Sequence, residues 1–108
     1  LGYANQVEYS ADAYYRAAQA PFSQALKARG LTDAQIGLHA GSADTALQMA
    51  VALDSVRPGL FEQAAREGRA GGTNGDPRPA TAALGQLGAD LVVQQSVAAI
   101  RAAVSSHR

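Results

Sequence analysis

His39-Ala40-Gly41-Ser42-Ala43-Asp44-Thr45 places an imidazole, a flexible connection and a carboxylate around the start of a helix, and the reading of the whole chain turns on it. Ser42 is suited to cap that helix, which runs through Asp44, Thr45, Leu47, Ala50, Val51 and Asp54 to about Val56. Asp44 falls in the first turn, where the positive end of the helix dipole favours a carboxylate even without any function. The same positive end disfavours a protonated ring, so His39 reads as a neutral base or hydrogen-bond donor. A solitary loop histidine is, on its own, more often a capping or packing residue. Thr45 supports the helix start rather than reacting, since no adjacent base makes it a nucleophile.

Upstream, Thr32 with Gln35 matches a capping box, and Leu31 with Ile36 has the spacing of a hydrophobic staple. These predict a short helical turn over 32–36 that Gly37 ends, leaving 38–41 as a connection. Further back, Ser10 or Asp12 can cap a helix to about Arg29 whose face is Tyr15, Ala18, Phe22, Leu26 and Arg29. Pro21 removes a backbone hydrogen bond there and predicts a kink or break near Gln19 and Ala20, and Gly30 supplies a left-handed stop. Residues 1–9 read as a strand end or extended lead-in, with Tyr3, Val7 and Tyr9 in alternation.

Downstream, the helix after Ser42 is apolar on most sides, with Asp44, Gln48 and Ser55 as a narrow polar strip, a composition that belongs inside a protein. Arg57-Pro58-Gly59 halts it, and 60–66 is a short amphipathic helix with Glu62 and Arg66 four apart. Residues 68–79 form a glycine- and proline-rich loop in which Asp76 has an ordinary role as a turn residue bonding its own backbone. Arg69 and Arg78 on that loop read as solvated before they read as anion binders. Pro79 suits the first turn of the last helix, along which Leu84, Leu87 and Leu91 point one way and Val93, Val97, Ile100 and Val104 nearly the opposite way. That helix needs two neighbours, one of them on another chain or segment, because each apolar side chain left in water forgoes roughly 1.5 to 3 kcal/mol.

At 108 residues the chain suits one small domain, 1–108. Nine acids balance nine bases, so no field favours nucleic acid or steers a charged substrate. The absence of cysteine excludes a disulfide framework and a thiolate metal site and leaves the compartment open, cytoplasmic or periplasmic/secreted. The chain opens on Leu1 with no basic segment ahead of an apolar run, so no signal peptide or membrane partner is expected, and it reads as a processed chain.

The pattern of His39-Ala40-Gly41, Asp44 and Thr45, followed by Gly75-Asp76-Pro77-Arg78 before the last helix, resembles the C-terminal half of the creatininase (creatinine amidohydrolase) family. The resemblance extends from roughly Tyr14 to Ala103, about the last two-fifths of a typical family member. It implies an α/β fold, a three-layer α/β/α sandwich in which this chain, mostly α by itself, is the helix-rich C-terminal part of a single domain. It further implies a metal-dependent hydrolase that cuts the C–N amide bond of a small molecule near metal-activated water, with His39 and Asp44 as catalytic residues and Gly41, Thr45 and Tyr15 toward the substrate. Two departures stand out: relatives often carry Glu where this chain has Asp44, and Ser where it has Ala46. Zinc or manganese would be bound mainly by an N-terminal segment with Glu-x-His-Gly-type ligands, which is absent here, so no metal ligand is assigned to this chain. The implied partner is that N-terminal half as a separate chain, the complete unit forming a homo-oligomer. The alternative from the residues alone is a non-catalytic helical subunit or interaction module in which His39 and Asp44 serve only the helix cap.

Overall fold

The computed structural model describes residues 18–106, which are helical with loop connections and contain no strand. The helices are α1 (18–28), α2 (Asp33–Ile36), α3 (Ser42–Val51), α4 (Phe61–Glu67) and α5 (Ala82–Ser106), with single 3-10 turns at Leu53–Ser55, Pro58–Leu60 and Gly68–Gly71. The helix-rich reading of the chain holds. The three-layer α/β/α arrangement is not seen, because the strand-like pairing among the described residues is confined to an isolated antiparallel bridge between His39 and Asn74. The expected lead-in over 1–9, the caps Ser10 and Asp12, and Tyr15 lie outside the described residues.

The sequence predicts a kink or a break near Gln19 and Ala20; α1 is helical through both and through Pro21, so it is not broken there. It ends as its sequence predicts. Gly30 takes φ 94° and donates its N–H to the Lys27 carbonyl at 2.9 Å, while the Leu31 N–H reaches back to the Leu26 carbonyl at 3.2 Å. Those paired bonds satisfy carbonyls that a helix end otherwise leaves to solvent. The capping box on α2 is complete: Gln35 N–H donates to Thr32 Oγ1 at 3.2 Å, and Thr32 N–H donates to Gln35 Oε1 at 2.9 Å.

The boundaries of α3, α4 and α5 differ from the sequence reading. Gly41, not Ser42, occupies the cap position of α3, since Ser42 is already helical and its hydroxyl donates to the Asp76 carbonyl on a distant loop. Helix α3 stops at Val51, short of Val56, because Ala52 turns to φ −153° and Ser55 Oγ donates to the Ala52 carbonyl at 2.6 Å, while Gln48 Nε2 donates to that same hydroxyl. Phe61, not Leu60, opens α4. Helix α5 begins at Ala82 rather than Pro79, where Thr81 Oγ1 accepts the Leu84 N–H at 3.1 Å and acts as the cap.

Phe22, Leu26 and Ile36 form the buried core, with Leu31, Ala43, Leu47, Leu84, Leu87 and Leu91 packed against them. Thus α1, α2, α3 and the first half of α5 share one core. The close seam is between α3 and α5. Gly85 and Gly88 are buried there, and a Cβ on Gly85 would overlap the Ala46 carbonyl. The other face of α5 is in solvent: Val93 is 59% exposed, Val97 39%, Ile100 49% and Val104 40%. The two-faced reading of that helix is therefore correct. With 25 residues, α5 is also long and apolar enough to cross a membrane by length and composition, although the sequence reading expects no membrane partner.

Candidate functional site

The site begins with a backbone strap. Leu38 and His39 donate their N–H groups to the Asn74 carbonyl at 2.8 and 3.2 Å, and Asn74 N–H returns a bond to the His39 carbonyl at 2.8 Å. One step on, Asp76 N–H donates to the Gln35 carbonyl at 3.0 Å, and Asp76 in turn accepts from the Ser42 hydroxyl. The segment 74–76 thus sews α2, the His39 loop and the start of α3 together. Three glycines allow the approach. Gly75 sits at φ 146°, and a Cβ there would lie 2.7 Å from the Gly41 Cα and 3.0 Å from the Gly37 Cα. Any other residue at that point would push the two loops apart.

Within the strap, Ala40 is held at φ 55°, a left-handed conformation that costs an L-residue about 1 to 2 kcal/mol. Two side chains from the first turn of α3 hold it there. Asp44 Oδ2 accepts the Ala40 N–H at 3.0 Å, and Thr45 Oγ1 donates to the Ala40 carbonyl at 3.3 Å. The sequence reading gave Thr45 a supporting role at this helix start, and its bond to Ala40 is of that kind. The carboxylate does two local jobs, accepting from the loop and sitting at the positive end of α3.

These groups line an open cleft of about 420 Å³ between the His39 loop, α3, the turn after it and α4. It is lined by His39, Ala40, Asp44, Thr45 and Gln48 from the His39 loop and α3, by the apolar Val56, Leu60, Phe61 and Ala64, and by Arg57 on the turn after α3. The volume is in the range that holds a small molecule. Of the predicted site residues, His39, Asp44 and Thr45 are brought together here, with the His39 side of the loop exposed to solvent. Gly41 is buried under α3, where a Cβ would overlap the Ile36 carbonyl, and does not line the cleft. Tyr15 is outside the described residues. Arg57 and Phe61 were not picked out by sequence reasoning. The sole signal for them was the Arg57-Pro58-Gly59 helix stop, which marks a turn and says nothing of where that turn packs.

Asp76 is not in the cleft but behind it. Its carboxylate accepts the Arg78 backbone N–H at 3.0 Å and pairs in a fork with the Arg78 guanidinium at 2.8 to 3.2 Å. The guanidinium hydrogen bonds hold the Asp76 carboxyl below the usual carboxylate range against an opposing desolvation, and the same pairing raises Arg78. Arg78 is therefore engaged within its own loop and not free to bind an anion, and Asp76 has the turn role its sequence context suggested.

Zinc and manganese require several nitrogen or oxygen ligands converging on one point. Among the described residues no group of three or more His, Cys, Asp or Glu does so. The described side chains of the cleft do not by themselves make up such a ligand set. The chain matches no family model, no curated protein and no solved structure.

Proposed function

We propose that this chain is the C-terminal part of a creatininase-like, metal-dependent amidohydrolase, incomplete without an N-terminal partner that carries the zinc or manganese ligands and most of the sheet of a three-layer α/β/α fold. The observation that carries the reading is the cleft: His39, Asp44 and Thr45 meet in one cavity, and beside it the two sequence segments of the resemblance abut through Gly41 and Gly75. In this reading His39 moves a proton for cleavage of a C–N amide bond in a small molecule. A backbone pinned on both sides by Asn74 leaves the imidazole little freedom except its own rotamer, which is what proton transfer in a fixed direction requires. Asp44 and Thr45 hold the left-handed Ala40 and so set where His39 stands. Gly41 acts through packing at the base of α3, and Tyr15 keeps the substrate-side role that the resemblance implies.

A second reading, a non-catalytic helical interaction subunit, is favoured by the exposed apolar stripe of α5. One experiment separates the two. The chain is purified from its source with whatever accompanies it, and metal content and amide hydrolysis are measured for the wild type and His39→Ala. The enzyme reading expects a second polypeptide with bound zinc or manganese and a loss of turnover on the order of 10²-fold or more in the variant with its thermal unfolding unchanged. Unchanged turnover, or a stable metal-free assembly of this chain alone, sinks it.

A further inference from the structure

We infer that Arg57 is the anchor for a carboxylate on the substrate, so that the amide cleaved belongs to the class of N-acyl amino acids and related apolar amides bearing one carboxylate. The inference deepens the amidohydrolase reading of the same cleft and rests on it for the amide. Arg57 is the one Lys or Arg among the described residues lining that cavity. Its backbone is fixed on both sides: Val56 N–H donates to the Leu53 carbonyl at 3.1 Å, and the Arg57 carbonyl accepts the Leu60 N–H at 3.0 Å. Its guanidinium makes no hydrogen bond or ion pair with another described residue, in contrast to Arg78, whose fork is filled by Asp76. A planar guanidinium on a fixed turn presents paired donors that match the two oxygens of a carboxylate.

The rest of the cleft orients such a ligand. Asp44, the acid among the described lining residues, accepts the N–H of Ala40 next to His39 and so repels a carboxylate from that loop. The anionic end is therefore directed to Arg57, which leaves the amide for the side of His39. Leu60 and Phe61, a few residues on from Arg57, add apolar surface to the same cavity, suited to an aliphatic or aromatic group on the ligand.

The test uses the chain as it purifies with its companions, and two probes: phenylacetylglycine, with one amide, one carboxylate and one ring, and its neutral isostere N-propylphenylacetamide. Binding is read by calorimetric titration, which needs no turnover, and hydrolysis is read in parallel. The wild type is expected to bind the acid about tenfold or more tightly over the neutral probe, Arg57→Gln to lose that preference, and Arg57→Lys to keep part of it. Since Arg57 is exposed, both variants should unfold thermally as the wild type does, and the lysine variant guards against a general disturbance of the turn. A wild type that fails to prefer the acid, or an Arg57→Gln variant that keeps the preference, overturns the inference. If the acid binds through Arg57 but neither probe is cleaved and His39→Ala changes nothing, the anion subsite stands and the amidohydrolase reading falls.

Discussion

At the scale of single residues, the site is built from backbone more than from side chains. His39 owes its place to bonds from its own N–H and carbonyl to Asn74, and Ala40 owes its left-handed geometry to Asp44 and Thr45. Asp76 is the residue behind the strap whose ionisation should matter. Its folded carboxyl titrates below the unfolded value of about 3.9, so it contributes stability above that pH and loses the contribution as pH falls through the lower, folded value. Asp76→Ala should cost about 1 kcal/mol at pH 7 through the lost bond to the Arg78 backbone N–H. The gap from wild type should narrow as thermal unfolding is repeated below about pH 4, and a gap independent of pH would remove the ionised carboxylate from the explanation. The sequence made His39, Asp44 and Thr45 legible as a group because they surround one helix start, where spacing alone fixes neighbourhood. It hid Asn74, which pins the His39 backbone from a remote loop, and Arg57 and Phe61, which line the cleft from beyond α3, because these meetings leave no local pattern.

At the scale of elements, the same division recurs. The capping box of α2 and the glycine stop of α1 were readable because every bond in them is made within a few residues. The start of α3 was misread because Ser42, a good cap by type, spends its hydroxyl on Asp76 across the fold. The start of α5 was misread because proline at a first turn competes with a threonine slightly further on, and Thr81 makes the bond. The seam between α3 and α5 gives the sharpest element-level test. At Gly85 an added methyl meets the Ala46 backbone, which cannot turn aside, whereas at Gly88 it meets a Leu47 methyl at 2.7 Å and the Phe22 ring at 2.8 Å. Gly85→Ala should therefore lose about 2 to 3 kcal/mol, more than Gly88→Ala, where side chains rather than backbone must give way. Denaturant unfolding of the two variants checks the order, and equal losses would mean that the helices slide apart easily and that the seam is loose.

At the scale of the molecule, the core ends before α5 does. Leu91 is the last α5 residue packed against it, and the helix continues for about 22 Å to Ser106. Along that extension Val93, Val97, Ile100 and Val104 recur at spacings of four, three and four, the repeat by which one helix presents a seam to another. Four partly exposed side chains supply much less than the 1,200 Å² or so that a stable interface buries, so this stripe alone does not account for a tight homodimer. Leu38, Val51, Leu53 and Leu60 are exposed as well, at 85, 71, 54 and 50%, which spreads the unpaired apolar surface over the molecule. Surface distributed in this way fits a large companion, the proposed N-terminal half, better than a second copy held on one helix. Val97→Asp combined with Ile100→Asp places two charges on that seam without touching the core of the chain, so the thermal unfolding of the separated chain should stay within about 0.5 kcal/mol of wild type for each change. Copurification with the proposed metal-bearing companion, and the proposed amide hydrolysis with it, should both fall at least tenfold, since a buried unpaired charge costs more than the apolar contact it replaces. If the doubly charged variant keeps its companion and its activity, the last helix projects into solvent for another purpose and the companion must dock elsewhere.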